Sequence, residues 1–369
     1  MNHNHNHPRK SRVERHAKDY KKRRYALILL LSIIVFVIVA YSAYLYFRTK
    51  EAVDSTYDNS AHVQIKHGEF NGKNRFAILL MGTDTGALDR TDEVGNTDTI
   101  IVAVVNPKKK QYTLMSVPRD TMAQMIGTPN FQVEKINAAY SIGGAKMAMA
   151  SVSKLINVPI KYYALVNMKG IMRLVSYAGG IKLKPMLSFE YGGYVFKKGQ
   201  LTHMGGGGAL AYSRMRYDDP EGDYGRQKRQ RQVITTLIEK TVSPGTLTKL
   251  DSVLTSVSGS VKTNLPFDAL QQIALNYRSS TKKAQNDYLH GHNATIYDAS
   301  YQVQSTEELQ RVSDRLRQEL GLKSELIDNN ETYQNKRNKE RGFDFNDPET
   351  QDYTIFNDYQ NQIQEEGDN

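Results

Sequence analysis

The sequence predicts an α/β protein with a central mixed, mostly buried β-sheet, flanked by helices on both faces and preceded by one transmembrane helix. Residues 76–81 (FAILLM) and 100–105 (IIVAVV) are uninterrupted apolar runs, which are typical of strands buried on both faces. Strand-like and helical patterns alternate after them, and this favours helices packed on both sides of a sheet. Residues 25–47 carry no charged side chain and predict the membrane helix.

Shorter patterns predict the remaining elements of the domain. Residues 112–117 (YTLMSV) read as a third strand, and the polar turn at residues 106–110 joins it to the second strand in a hairpin. Further helices are predicted near residues 146–156, 170–177, 265–277 and 307–320, and further strands near residues 161–168 and after Gly180. The last helix is expected to begin at a Ser305/Thr306 cap.

The apolar run at residues 25–47 is predicted to be a retained membrane anchor. As a helix it spans about 34 Å at ~1.5 Å per residue, more than the ~30 Å of a hydrocarbon core. It is too long for the apolar part of a signal peptide, and no small-residue cleavage site follows it. Basic residues crowd the segment before it, including residues 21–24 (KKRR), so the positive-inside rule predicts a single-pass protein with a cytoplasmic amino terminus and an extracellular domain.

Composition sets the expected domain boundaries. We expect a basic cytoplasmic tail (1–24), a membrane helix (25–47), a polar linker (48–74), an exported domain (75–322) and a polar tail (323–369) that is disordered. The chain has no cysteine, so its core alone must stabilise the exported domain. The net charge of +10 predicts an anionic wall polymer, a lipid phosphate or the membrane surface as a partner.

Arginine is concentrated in residues 212–232 (YSRMRYDDPEGDYGRQKRQRQ). A guanidinium group binds phosphate oxygens in a bidentate manner, so several together favour a di- or polyphosphate ligand. The alternative is a solvated basic helix face. Arg226 and Arg229 lie three residues apart and are expected to share a face, whereas Arg231 is expected to point away from it.

Three charged residues flank the predicted strands. Asp84 follows the first strand, Asp98 precedes the second and Arg119 follows the third. If the second strand is antiparallel to both neighbours, all three residues lie at one end of the sheet. Two carboxylates there would repel unless a cation lay between them, which predicts Mg²⁺ or a similar ion such as Mn²⁺. The alternative is that both aspartates are ordinary turn residues.

Several motifs occur together in an order and spacing that resemble one family. They are GTD (82–84), NTDTI (around 97–99), VNPKKK (105–110), SVPRDT (116–121), KINAAY (135–140) and ALAYSRMR…DYGRQKRQRQ (209–232). Residues 76–322 thereby resemble the LytR-CpsA-Psr family of Gram-positive bacteria. The resemblance implies the fold of that family and a phosphotransferase that moves a glycopolymer, such as wall teichoic acid or capsular polysaccharide, from an undecaprenyl-pyrophosphate carrier to peptidoglycan.

The resemblance also implies roles for individual residues. It places the two metal-binding aspartates at Asp84 and Asp98. The pyrophosphate-binding residues that it implies are Arg119, Arg214, Arg216, Arg226 and Gln230, and the supporting polar helix residue is Asp223. Together with both aspartates, Arg119 and Arg216 are expected to be catalytic.

Two features depart from the family pattern. Many members have Arg where this chain has Asn96, and we expect Arg90 to supply the missing charge. Four glycines, residues 205–208, replace a more varied segment, and we expect them to leave the approach to the arginines free. An apolar groove is expected to accommodate the polyprenyl chain.

Two other classes of function remain open. One is a membrane-tethered transcriptional regulator that binds nucleic acid, but the predicted orientation separates the arginines from DNA and no helix-turn-helix pattern is present. The other is a non-catalytic module that binds wall polymer. The pair Asp84 and Asp98 opposes it, because a polyanion binder gains nothing from added negative charge.

Overall fold

The computed structural model describes residue 50 and residues 56–85, 95–241 and 259–359. Apart from Lys50, these residues belong to one compact unit, Ala52–Asn369. The anchor predicted at residues 25–47 lies outside the described residues. Within the described ranges, no helix combines the length and the apolar character needed to cross a membrane.

The structure is centred on a six-stranded mixed sheet with the strand order β11-β6-β1-β2-β3-β12. Its strands are β1 (Phe76–Thr83), β2 (Thr97–Asn106), β3 (Gln111–Ser116), β6 (Tyr162–Asn167), β11 (Val261–Thr263) and β12 (Lys283–Tyr288). β2 is antiparallel to both β1 and β3, whereas β6 runs parallel to β1 and β12 runs parallel to β3. The prediction of a mixed sheet is confirmed.

Shorter strands form small sheets around this centre. They are β4 (Met122–Gln124), β5 (Val133–Lys135), β7 (Ile181–Leu183), β8 (Phe189–Tyr191), β9 (Tyr194–Phe196), β10 (Thr202–Met204), β13 (His292–Ile296), β14 (Ala299–Val303) and β15 (Gln351–Asp352). β4 pairs with β5, and β13 lies between β14 and β15. Both of these small sheets contribute residues to the functional site described below.

Helices cover both faces of the central sheet, as predicted. The helices are α1 (Ala139–Ile156), α2 (Met168–Tyr177), α3 (Gly206–Arg214), α4 (Gly222–Thr241), α5 (Phe267–Asn276), α6 (Thr306–Leu320) and α7 (Asn330–Lys339). On one face, Leu79 and Val102 share a core with Val152 of α1 and Leu316 of α6. On the other face, Ile234 of α4 packs against a second cluster that contains Ile101 and Leu114.

Local sequence signals explain where these elements begin and end. The β2–β3 hairpin turns through Pro107–Lys110, and Lys110 adopts a left-handed φ of 52°. Ser305 caps α6 by accepting a hydrogen bond of 3.1 Å from the Glu308 amide, and Gly321 ends this helix with a φ of 72°. The predicted hairpin and helix cap are therefore confirmed.

The prediction of a disordered tail is wrong for residues 323–359. Phe343, Phe345 and Tyr353 are buried in a cluster that also contains residues of β4, β13 and β14. The polar side chains of α7 are satisfied inside the protein: Asn335 donates to the Gln304 carbonyl at 2.8 Å and accepts from the Tyr353 hydroxyl at 2.8 Å. The sequence did not predict this fold for two reasons. Its amide side chains form hydrogen bonds inside the protein, and its aromatic residues are too unevenly spaced to give a periodic pattern.

The prediction of a linker over residues 48–74 is wrong for residues 56–74. Phe70 is fully buried and packs against Phe76 and Tyr162, with ring centroids 5.2 Å from each. Asp58 donates its amide to the Thr263 carbonyl at 2.8 Å. This segment is held by a few aromatic contacts, which leave no periodic pattern in the sequence.

The folded carboxyl-terminal segment predicts a large loss of stability in Phe343→Ala. Removing this buried ring should lower the free energy of unfolding by about 3–5 kcal/mol, because the transferred apolar surface and the remaining cavity both destabilise the protein. Leu326→Ala is the matched control, since Leu326 belongs to the same segment and is 90% exposed. Urea denaturation measures both changes, and equal midpoints for the two variants would contradict the packing of this segment.

Candidate active site

A β-bulge places Asp98 at the end of the central sheet. Gly82 pairs with Thr99 and the next residue, Thr83, pairs with Thr97, so Asp98 is an extra residue on β2. Such a bulge changes the direction in which a side chain points and is frequent beside active sites. Asp84 follows β1 at the same end of the sheet. A Cβ built on Gly95, which lies just before β2, would be 3.5 Å from Oδ1 of Asp84. The predicted meeting of the two strand ends is therefore confirmed.

Arg119 is hydrogen-bonded to Asp98. Its Nη1 donates to Asp98 Oδ1 at 2.7 Å, and its Nε lies 3.5 Å from Asp120 Oδ2. Burial alone would lower the pKa of Arg119, but the hydrogen bond and charge of Asp98 outweigh burial and raise this pKa. Arg119 therefore stays charged at the mouth of the site.

Arg226 enters the same region from α4. Its Nη2 lies 2.6 Å from Asp223 Oδ1 and 3.4 Å from the Asp98 carbonyl, to which it donates. Burial lowers the pKa of Arg226, Asp223 offsets part of this change, and the nearby charges of Arg119 and Arg216 lower it further. A bound anion would relieve the cost of holding these cations together.

One cleft of about 1170 Å³ gathers the predicted site residues. Its polar end is lined by Asp84, Asp98, Arg119, Arg214, Arg216, Arg226 and Gln230. Asp223 lies behind this surface through its ion pair with Arg226. Arg90, which was expected to add a charge, lies outside the described residues. The arrangement can bind a multiply charged anion, because it presents several guanidinium groups to one space.

The other end of the cleft is apolar. It is lined by Ala164 and Val166 of β6, Met168, Ile171 and Leu174 of α2, Leu210 of α3, and Val233, Ile234 and Leu237 of α4. Ile171, Leu174, Ile234 and Leu237 are only half-buried, so they leave apolar surface facing the cleft. Part of the second half of α4 therefore lines the cleft.

Arg229 and Arg231 do not line the cleft. Arg229 is 1% exposed, forms an ion pair with Asp219 and donates to the carbonyls of Tyr212 and Met215. Arg231 donates to Ser116 Oγ at 2.5 Å, and burial lowers its pKa to about 10. Arg231 was expected to point away from the face shared by Arg226 and Arg229. It is buried, because β3 covers that side of α4. Helical spacing cannot reveal which neighbour covers each face.

A group of four residues beside Arg119 was not singled out by the sequence. Asp120, Glu134, Lys135 and Tyr301 line the rim beside Arg119. Asp120 lies within the motif SVPRDT, and Lys135 begins KINAAY, so those motifs held a signal. Tyr301 lies on β14, where no motif marked it.

Comparison with known proteins identifies the family. Residues 41–318 match the model of the LytR_cpsA_psr family. The chain belongs to the LytR-CpsA-Psr family. Over 303 residues it is 40% identical to the polyisoprenyl-teichoic acid–peptidoglycan teichoic acid transferase TagU of Enterococcus faecalis, an alignment that covers 82% of this chain and 99% of the relative. It is a transferase, as the sequence predicted.

Solved structures of similar proteins share the fold. The crystal structure of Bacillus subtilis TagU is 34% identical, with a TM-score of 0.55, and the match covers 69% of this chain and 100% of that one. A second protein, EF0465 of Enterococcus faecalis, was described as a transcriptional regulator. It is 37% identical, with a TM-score of 0.61, and the match covers 69% of this chain and 91% of that one.

The two departures from the family pattern have structural explanations. Gly206–Gly208 begin α3, and a Cβ at Gly206 would lie 2.1 Å from the Met172 carbonyl oxygen of α2. Gly206 therefore allows α2 and α3 to pack closely, and a Cβ at Gly207 would lie 2.4 Å from the Tyr194 hydroxyl. The free approach to the arginines stays a prediction. Asn96 accepts a hydrogen bond of 2.8 Å from Ser141 Oγ at the rim of the cleft.

The donor set at the polar end fits a magnesium ion. Among the described residues, no three His, Cys, Asp or Glu side chains are grouped as metal ligands. Asp84 and Asp98 nevertheless line the same cleft, beside the arginines. Mg²⁺ commonly binds one or two carboxylates, keeps several waters and takes its remaining ligands from substrate phosphates. Two carboxylates beside a group of arginines that can bind phosphate are therefore sufficient.

Proposed function

We propose that this protein transfers an anionic or capsular glycopolymer from an undecaprenyl-pyrophosphate carrier to peptidoglycan. The observation that carries the proposal is the continuity of the cleft, whose arginine-lined end opens into an apolar end between β6, α2 and α4. A lipid pyrophosphate has the same two parts, a polyanionic head and an apolar tail. The TagU relative, which is named for transfer of teichoic acid to peptidoglycan, supports the same reaction.

The proposed reaction is a phosphoryl transfer. An acceptor hydroxyl attacks the phosphorus that carries the glycan, the bond to the bridging oxygen breaks, and the polyprenyl monophosphate leaves with that electron pair. The hydroxyl proton goes to a base that we do not assign. Negative charge grows on the leaving phosphate, and Arg214, Arg216 and Arg226, which line the cleft, would stabilise it.

Asp84 and Asp98 would hold a Mg²⁺ or Mn²⁺ ion beside the pyrophosphate. The ion would supply charge neutralisation to the phosphate oxygens. Arg119 keeps Asp98 in position through its 2.7 Å contact, and the Asp223 carboxylate does the same for Arg226. These contacts orient the charged groups before substrate binds, which is the condition for efficient electrostatic stabilisation.

The proposal places the domain outside the cell, on a single-pass anchor at residues 25–47, with the amino terminus inside. A reporter enzyme that is active only outside the membrane, fused after Asn369, is expected to be active, because the basic residues before the anchor stay in the cytoplasm. Activity from a cytoplasm-only reporter at the same position would contradict the orientation and would favour a regulator that binds nucleic acid.

The arginines distinguish a catalyst from a polymer-binding module. Arg216→Ala should lower turnover about 100-fold to 1000-fold, the range found when a preorganised charge-stabilising donor is removed. Its effect on donor affinity should be smaller, because the charge grows in the transition state. The measurement is transfer of a labelled glycan to peptidoglycan fragments, together with binding of the lipid pyrophosphate.

Arg278→Ala is the matched control for this measurement. Arg278 is exposed, follows α5 and does not line the cleft. Its turnover should stay within about twofold of the unmodified protein, since exposed side chains away from a site contribute little. Small and equal effects from both substitutions would show that the arginine cluster is only a basic surface. That result would refute the catalytic assignment.

A further inference from the structure

The cleft has a second polar wall that the proposed donor site does not use. Asp120, Glu134, Lys135 and Tyr301 line it, on β5, β14 and the segment after β3. Lys135 Nζ lies 3.3 Å from Asp120 Oδ1 and 5.3 Å from the centroid of the Tyr301 ring. An ammonium, a carboxylate and a phenol are thus grouped beside the mouth of the cleft.

This wall is continuous with the pyrophosphate end through a series of charged contacts. Arg226 donates to the Asp98 carbonyl, and the Asp98 carboxylate accepts a hydrogen bond from Arg119. Arg119 also contacts Asp120, and Asp120 contacts Lys135. Cationic and anionic side chains alternate along the series. Along this series Asp98, Arg119 and Asp120 separate Lys135 from Arg226.

The geometry of phosphoryl transfer determines from which side of the phosphorus the acceptor approaches. The attacking and leaving oxygens lie roughly in line on opposite sides of the phosphorus. The leaving oxygen belongs to the lipid phosphate, which the proposed function places between the arginines of α3 and α4 and the apolar end of the cleft. The acceptor hydroxyl must then approach from the opposite side, and Asp120 and Lys135 form the polar part of the cleft beside Arg119 that the donor does not occupy.

We propose that Asp120, Lys135 and Tyr301 form the subsite for the acceptor saccharide of peptidoglycan. The assignment rests on the proposed function and names the residues that hold its second substrate. A saccharide with hydroxyl and N-acetyl groups needs both donors and acceptors. Lys135 and the Tyr301 phenol donate, and Asp120 accepts. Burial raises the pKa of Tyr301, and Glu134 adds to this change, so the phenol keeps its proton.

The folded carboxyl-terminal segment supports this wall from behind. The Gln302 amide donates to the Asp120 carbonyl at 2.8 Å, and Gln304 Nε2 donates to Thr121 Oγ1 at 3.1 Å. Asn335 of α7 donates in turn to the Gln304 carbonyl at 2.8 Å. Gln302 and Gln304 thus brace the backbone at Asp120 and Thr121, and α7, which follows the family match, holds Gln304 in turn.

Lys135→Met tests the subsite, because it removes the ammonium and keeps the length of the side chain. The experiment uses the full-length protein in detergent, a labelled polyprenyl-pyrophosphate-linked glycan and a soluble, uncrosslinked peptidoglycan oligosaccharide. The KM for the oligosaccharide should rise about tenfold to a hundredfold, as expected for a lost hydrogen bond from a charged group. The KM for the donor and the rate of transfer to water should stay within about twofold.

Two further variants make the result specific. Tyr301→Phe keeps the ring in its apolar cluster and removes only the hydroxyl, so it should raise the same KM by a smaller factor. Lys108→Met is the control, since Lys108 is exposed in the β2–β3 hairpin turn, at the other end of the strands. It should leave both KM values unchanged.

Three outcomes would overturn the assignment. A higher KM for the donor with an unchanged KM for the oligosaccharide would assign this wall to the glycan of the donor. Unchanged values for both substrates would leave the wall without a ligand. If the unmodified protein bound the lipid pyrophosphate but attached glycan to no oligosaccharide, the proposed function itself would fail, and the assignment would fail with it.

Discussion

Repulsion between arginines that share one cleft is the constraint on which this site depends. Burial lowers the pKa of Arg226, and the nearby charges of Arg119 and Arg216 lower it further. The fold offsets part of that repulsion with fixed carboxylates: Asp98 contacts Arg119, and Asp223 contacts Arg226. Positive charge still exceeds negative charge at this end of the cleft, so the site is preorganised for an anionic ligand.

Helix α4 connects the two chemical requirements of the proposed donor. Its first half supplies Arg226 and Gln230 to the polar end of the cleft, and its second half supplies Ile234 and Leu237 to the apolar end. Arg226 and Leu237 are about 16 Å apart along the helix at ~1.5 Å per residue. That length suits a pyrophosphate head followed by the first units of a polyprenyl chain. Arg229 and Arg231 fix the helix to its neighbours through buried hydrogen bonds, and so hold both ends in register.

The sequence predicted the parts of the structure that follow from simple geometry. The short hairpin implies that β2 and β3 are antiparallel. On the condition that β1 is also antiparallel to β2, which the structure shows, Asp84, Asp98 and Arg119 come to one end of the sheet. The bulge at Asp98 was not predictable, because a single extra residue changes no pattern. The fold of residues 323–359 was not predicted for another reason. Buried amide side chains such as Asn335 give this segment the polar composition of a disordered tail. The roles of Arg229 and Arg231 depend on which neighbouring element covers each face of α4. The spacing of residues along a helix does not show this.

In the proposed function, one cleft binds a lipid pyrophosphate with help from a metal held by Asp98. Calorimetric titration with geranyl pyrophosphate, a short soluble analogue, measures this binding. With Mg²⁺ present, this ligand should bind at least about tenfold more tightly than inorganic pyrophosphate, because the apolar end of the cleft adds buried surface. Removal of Mg²⁺ should weaken binding to the unmodified protein and should have little effect on Asp98→Asn. Equal affinity for geranyl pyrophosphate and inorganic pyrophosphate, or the same Mg²⁺ dependence in both proteins, would contradict the account.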